Sequence, residues 1–273
     1  MKTEERIQEE LVSKAFSDQS VKFDSITTGN PMERWYRDFT RAKVLPYMKA
    51  GEQVLELNCG TALDAVFFAQ QGLKVMATDN SEGMLQQSRE KIHRHQLQNQ
   101  IEVLRCSFHD LSPLPKGKTY DHVFSNFGGL NCSEDLSTVI KQVDAQINKG
   151  AMVHWVVIAP LCPWEWLSVF KGRFSYAFRR FNKKGVESKI DGNPFMTYYY
   201  SSAYIKRHFG EKYRLVQLHG MGCFLPPTYK EHFPKQWPRL FAAMKGLEKK
   251  LSGVWPFNRF GDLYLISLQK IRD

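Results

Sequence analysis

Glu56 and Asp79 are the side chains around which chemistry can be built, because each stands where an apolar run gives way to a turn. Val54, Leu55, Glu56 and Leu57 are followed by Asn58, Cys59, Gly60, Thr61 and Ala62, then by a helical pattern from Leu63 to Ala69. A second apolar run, Leu73 to Thr78, ends in Asp79 and Asn80. In an open parallel sheet, ligands lie outside the carboxyl ends of the strands, and the turn after the first strand points free N–H groups at them. Gly60 gives that turn its freedom of φ, and small Ala62 lets backbone and ligand approach closely. Asp79, about twenty residues beyond the turn, is placed to accept hydrogen bonds from two ribose hydroxyls and would reject a 2′-phosphate. Two acids at neighbouring strand tips suit a ligand with an amino acid at one end and a ribose at the other.

Val54 to Thr61, then Val75 to Ser81 with Met84 and Leu85, resemble the first two motifs of class I S-adenosylmethionine-dependent methyltransferases. Within that superfamily the likeness is greatest to small-molecule enzymes near the ubiquinone and menaquinone methylases. The motif E/D-x-G-x-G-x-G reads here Glu56-Leu57-Asn58-Cys59-Gly60-Thr61-Ala62, so only the middle glycine is kept. An α/β domain of another kind, such as a dehydrogenase, is the competing reading of a one-glycine turn.

The resemblance implies S-adenosyl-L-methionine as cofactor and an α/β fold. That fold is a doubly wound, mostly parallel seven-stranded Rossmann-like sheet with an antiparallel last strand, here carrying a helical cap insertion. It implies cofactor contacts from Glu56, Asn58, Gly60, Ala62, Asp79 and Asn80, with Met84 packing on the adenine. Ser107 occupies the position of the acid that usually precedes the adenine contact, so adenine recognition falls to backbone groups, Phe108 or His109. Asn126 ends the fourth strand, beside the methionyl amino group and the reactive methyl. Arg37 is a candidate partner for the methionyl carboxylate, since a guanidinium fork fits a carboxylate. Phe16 to Asp24 resembles the F/Y-D segment of the quinone methylases, whose N-terminal part covers the cofactor.

The elements that must position these residues follow from spacing. Ile7, Leu11, Val12 and Phe16 predict a helix over 3–16, and a second runs from Pro31 to Tyr47, interrupted at Pro46. Ser81 caps a helix over 81–95. Strands follow at Ile101 to Cys106 and Asp121 to Ser125, then a helix from Glu134 to Asn148 closed by Gly150. A buried strand runs from Ala151 to Ile158, in which His154 reads as a core histidine. Trp166, Phe170, Phe174, Phe178 and Phe181 repeat at helical spacing. They form either a cap helix packed on the core or an aromatic wall for an apolar acceptor beside a basic, membrane-facing surface. Gly192-Asn193-Pro194 is a turn, Thr197 to Tyr200 a strand, and Ser201 or Ser202 caps a short helix to Phe209. Tyr213 to Leu218 and Asp262 to Leu268 are the last strands, around a helix from Pro238 to Leu251. The chain thus divides into a helical cover (1–50), a methyltransferase core (51–160 and 201–273) and a cap or substrate insertion (161–200).

Composition narrows the partners. Residues 151–273 hold 20 basic and 8 acidic groups, a net +12, whereas residues 51–150 are net −3. The basic excess therefore lies away from the cofactor half, as suits an anionic or lipidic acceptor, an acidic partner or a peripheral membrane contact, or simply a solvated face. No stretch reaches the ~20 apolar residues of a membrane span, and Met1 to Arg6 has no signal-peptide core. Five cysteines fit neither a metal site nor a disulfide framework, which points to reduced thiols, no metal and the cytoplasm.

The expected reaction is O- or C-methylation of a small, aromatic or apolar acceptor by in-line displacement. Its leaving group is neutral, so positioning within about 3–3.5 Å and, for a hydroxyl, a base are all that is needed. Glu165 is the candidate base, with His109, His219 and Tyr198 to Tyr200 as competitors. Methylation of RNA or protein and a non-catalytic S-adenosyl-binding role are the alternatives. The absence of an Asn/Asp-Pro-Pro-aromatic stretch after the fourth strand and of any RNA-binding module makes nucleic acid the weaker partner.

Overall fold

A computed structural model describes residues 3–273; residues 1 and 2, which begin the expected cover, lie outside the described residues. The chain runs α1 (Thr3–Gly29), α2 (Pro31–Val44), β1 (Gln53–Leu57), α3 (Leu63–Gln70), β2 (Lys74–Asp79), α4 (Glu82–Arg94), β3 (Ile101–Arg105), β4 (Tyr120–Ser125), α5 (Leu136–Asp144) and β5 (Ile147–Ile158). Then come α6 (Pro163–Trp166), α7 (Phe174–Ala177), β6 (Val186–Ile190), β7 (Asn193–Thr197), α8 (Ser202–Phe209), β8 (Tyr213–Met221), α9 (Phe233–Gln236), α10 (Pro238–Leu251) and β9 (Leu263–Lys270).

Seven strands form one sheet in the order β3-β2-β1-β4-β5-β9-β8, with β9 antiparallel to both neighbours and β1 to β5 parallel. Both faces are buried, so alternate residues of a strand enter different cores. In β1, Val54 joins Val75, Phe124 and Leu265 beneath α2, α3 and α4, whereas Leu55 and Leu57 join Met76, Val123 and Trp155 beneath α5 and α8. The strand order reverses between β1 and β4, which opens a crevice beyond their carboxyl ends.

Four local expectations are corrected. The first helix does not stop at Phe16 but reaches Gly29, because Ala15, Ser20 and Thr27 are buried along its length as it packs on α4, β7 and α2. Asn30 then starts α2, its side-chain oxygen accepting the Met32 N–H at 2.9 Å. α5 ends at Asp144, and Gly150, at φ +98, lies within β5 where the β4–β5 register shifts. The aromatic repeat does not form one helix: Gly172, left-handed at φ +69, separates α6 and a 3₁₀ stretch from α7. Phe170 is consequently 88% exposed instead of packed on the core. The β6–β7 hairpin turns at Asp191–Gly192, both at positive φ, and Tyr198 to Tyr200 leave the sheet.

Candidate functional site

The turn after β1 preserves a backbone that its sequence disguises. Asn58, Gly60 and Ala62 occupy the three glycine positions of the motif, and all three are left-handed, at φ +48, +56 and +62. Asn tolerates that region through its short polar side chain, whereas Ala strains there by ~1–2 kcal/mol. Side chains then brace the turn. Asn58 accepts the Ser125 hydroxyl at 2.7 Å and donates to the Asn126 carbonyl at 3.2 Å, tying β1 to β4. Asp79 accepts the Gly60 N–H and the Ser81 N–H, both at 2.9 Å, tying β1 to β2 and to the start of α4. Burial raises the Asp79 carboxyl above its usual range despite those bonds. Gly129 is compressed against the same turn: a Cβ there would lie 2.5 Å from the Asn58 side chain.

Above the turn lies a cavity whose floor is Asn58, Gly60, Asp79, Asn80, Met84, Phe108, His109 and Asn126. Its roof is α1, through Glu9, Val12, Ser13, Phe16 and Phe23. Thus eight of the residues expected to hold the cofactor surround one space. Glu9 fills the gap left by Ser107, its carboxylate accepting from the Ser107 hydroxyl and bonding His109 Nδ1, while His109 Nε2 meets Ser133 Oγ at 2.7 Å. Burial raises the Glu9 carboxyl, but the bonds from His109 and Ser107 outweigh it and hold it below the usual value. A second tie pins the roof: Asp24 accepts the Thr61 hydroxyl and pairs with Lys91 Nζ at 2.7 Å.

A second, larger cavity, ≈ 440 Å³ against ≈ 130 Å³, shares Phe16, Phe23, Phe127, Gly129 and Cys132 with the first. It is otherwise lined by Ile26, Phe195 and Tyr199 and by the charged Glu33, Arg37, Arg179, Arg180 and Asp262. Most of these charges are already matched. Arg37 and Arg41, one turn apart on α2, both reach Asp64, which also accepts Asn126 Nδ2 at 3.0 Å. Asp64 is raised by burial and lowered further by the two guanidinium groups, so it ends below its usual range. Arg180 donates to Asp262 at 2.6 Å and to Glu165 at 2.7 Å. Glu33 is the lining carboxylate whose side chain takes part in no hydrogen bond or ion pair among the described residues. Burial raises its carboxyl, against the opposing charge of Arg37.

Four expected site residues stand elsewhere. Glu165 lines neither cavity; burial lifts its carboxyl, but bonds from Arg179 and Arg180 bring it below the usual range, which suits an anchor for the cap and not a base. Arg37 lies on the second cavity, 4.5 Å over the Phe127 ring, with its charge engaged by Asp64. Glu56 lies beneath the turn, outside both cavity walls, with Oε2 buried and unpartnered; burial, then the nearby Asp64 charge, raises its carboxyl well above the usual value. Ala62 acts through its backbone, as the left-handed residue before α3. Of the other base candidates, Tyr199 lines the second cavity and His109 the first, whereas His219 lies on β8, lines neither and hydrogen-bonds Ser252 Oγ at 3.2 Å.

The residues that spacing missed are Glu9 and Glu33. Glu9, Val12, Ser13 and Phe16 do form an i, i+3, i+4, i+7 stripe, and Glu33 precedes Arg37 and Arg41 by one and two turns. Those patterns could have shown both acids facing inward with their neighbours.

A family described as methyltransferase domain matches residues 54–150, the span from β1 to the Gly150 bulge. The methyltransferase CcbJ from Streptomyces caelestis is 15% identical with a TM-score of 0.61, over 94% of this chain and 98% of that one. DhpI, solved as a complex with SAH, is 18% identical with a TM-score of 0.54, over 77% of this chain and 90% of its own. The [4+2]-cyclase SpnF shares the fold at 11% identity and a TM-score of 0.55, over 86% and 80% of the two chains. No curated protein sequence matches the chain. Among the described residues, no helix is long and apolar enough to cross a membrane.

Proposed function

We propose that this S-adenosylmethionine-dependent methyltransferase methylates a hydroxyl or carbon of a small aromatic or apolar molecule held in the second cavity. The observation that carries the reading is that two cavities share one wall of Phe16, Phe23 and Phe127 at the switch point of the sheet. In this reading the Asp79 carboxylate takes the ribose hydroxyls, Asn58, Gly60 and Asn126 face the methionyl end, and Met84, Phe108 and His109 enclose the adenine. When bound, the sulfonium supplies an electrophilic methyl and departs as a neutral thioether, which needs no protein acid. The chain's own task is to hold the acceptor in line and to accept its proton.

Glu33 is the proton acceptor in this proposal, since it lines the second cavity and its raised carboxyl brings its basicity nearer neutral pH. Phe16, Phe23, Phe127, Phe195 and Tyr199 supply faces for an aromatic acceptor, of which a quinone precursor is one type. Residues 1–50 serve as cover, 161–200 as the acceptor-side cap and the remainder as core. All five cysteines are free thiols, in keeping with action in the cytoplasm.

The test is calorimetry with S-adenosylhomocysteine followed by thioether release with phenolic and aliphatic acceptors. Saturable binding and acceptor-dependent release are expected. Absence of binding would sink the cofactor assignment, and release only with RNA or protein would sink the small-molecule one.

A further inference from the structure

The segment 166–186 carries six cations, Lys171, Arg173, Arg179, Arg180, Lys183 and Lys184, and no acid. Arg179 and Arg180 are turned inward onto Glu165, whereas the other four are exposed. Among them stand Leu167, Phe170, Phe174, Phe178 and Phe181, each at least half exposed, with Phe170 at 88%. The 224–237 loop joins the same surface: exposed Lys230 lies 5.2 Å over the Trp164 ring, beside exposed Tyr229. Large apolar side chains do not stay in water in such number without a partner. The segment is anchored from below, since Arg180 donates to the Ala159 and Asp262 carbonyls and to the Glu165 and Asp262 carboxylates. Arg179 and Arg180 of the segment and Thr228 of the loop line the second cavity.

We propose that this aromatic and basic surface docks on an anionic phospholipid bilayer, beside the cavity that takes the acceptor. Aromatic rings seat at the boundary between headgroups and acyl chains, and exposed Lys and Arg gain from anionic lipid around them. The charge pattern selects this occupant over a second copy of the chain. A two-fold contact through the 166–186 segment would set Lys171, Arg173, Lys183 and Lys184 against their own counterparts, and that segment has no acid to offset them. The anchoring beneath also fits a bilayer, because a fixed platform presents its rings without a folding step. An apolar acceptor dissolved in the membrane would then have a short route to the second cavity.

The experiment is cosedimentation of the full chain with phosphatidylcholine vesicles with and without phosphatidylglycerol, at low and high salt. Wild type should pellet with the anionic vesicles and be released by salt. Phe170→Ser with Phe174→Ser should abolish pelleting, and Lys183→Gln with Lys184→Gln should lower the partition coefficient roughly tenfold. All four side chains are exposed, so unchanged S-adenosylhomocysteine affinity and melting temperature report an intact fold. Wild type remaining in the supernatant at low salt overturns the proposal. So does a concentration-dependent dimer abolished by the Phe changes, or RNA binding that needs the lysines but not the phenylalanines. The readout uses neither acceptor nor turnover, so it fails or succeeds independently of the methyl-transfer reading.

Discussion

The turn at 58–62 and the wall at 163–200 sit on the same crevice but are specified in opposite ways. At the turn, two of three motif glycines are gone, yet φ stays left-handed at Asn58, Gly60 and Ala62, so what the motif keeps there is the course of the backbone. At the wall the backbone is a chain of short helices and a hairpin, and the surface consists of side chains: Arg179, Arg180, Phe195 and Tyr199. A backbone site survives changes of sequence as long as φ and the bracing bonds survive, and this turn lies within the residues, 54–150, that match a methyltransferase domain. A side-chain site has no such protection, and its specificity has to be read from the residues themselves. The cyclase that shares this fold makes the same point, since the sheet alone does not select a reaction.

Several measurements would sharpen or break that contrast. Asp79→Ala should weaken S-adenosylhomocysteine binding about a thousandfold, since it removes the proposed acceptor for two ribose hydroxyls and the brace between Gly60 and Ser81. Calorimetry showing less than a tenfold loss, to about 1.4 kcal/mol, would mean that the ribose lies elsewhere. On the acceptor side, Glu33→Gln should lower kcat about a hundredfold while leaving cofactor affinity unchanged. With wild type, kcat should rise with pH through a carboxyl value above the usual range, because the ionised form is the base, and the Gln variant should lack that limb. A pH profile shared by both proteins would remove Glu33 from the reaction.

Gly129→Ala should reduce cofactor affinity about tenfold, through the 2.5 Å clash with Asn58, without changing acceptor selectivity. Glu9→Ala should cost a few-fold in affinity and speed proteolysis within α1. The carboxyl of Glu9 is held below its ordinary value, so its contribution is complete above the unfolded value of about 4.3 and is lost as pH falls through the lower, folded value. Wild-type α1 should therefore resist protease at neutral pH and open only in strong acid, whereas an opening near pH 6 would contradict the Glu9 tie. The smallest effect is a gain: Ala62→Gly relieves a left-handed alanine by more than the added unfolded-state freedom costs and should raise Tm in a thermal melt by about 2–4 °C, ~1 kcal/mol.

Much of the fold was legible because its signals are local. The apolar runs gave the sheet, Ser81 gave the start of α4, and Asp79 gave the acid at the tip of β2. What escaped depends on contacts distant in sequence. Glu9 meets Ser107 and His109 across about a hundred residues, and nothing near any of the three announces the meeting. Glu165 read as a base because it stands just past β5, but Arg179 and Arg180 return to neutralise it. The aromatic repeat from Trp166 to Phe181 satisfied a helical period while Gly172 set the opposite local preference, and the glycine prevailed. Continuity of α1 past Phe16 comes from burial against α4 and β7, not from its own weakly patterned sequence.

α1 contributes side chains to both chambers and is pinned to the floor through Glu9 and Asp24. If the first cavity holds the nucleoside as proposed, release of those pins opens its roof for the spent product. Steady-state kinetics should therefore be compulsory-order, with the sulfur compound first on and last off, and the rate of repeated cycles should track how often one rod lifts, not the speed of the bond exchange beneath it.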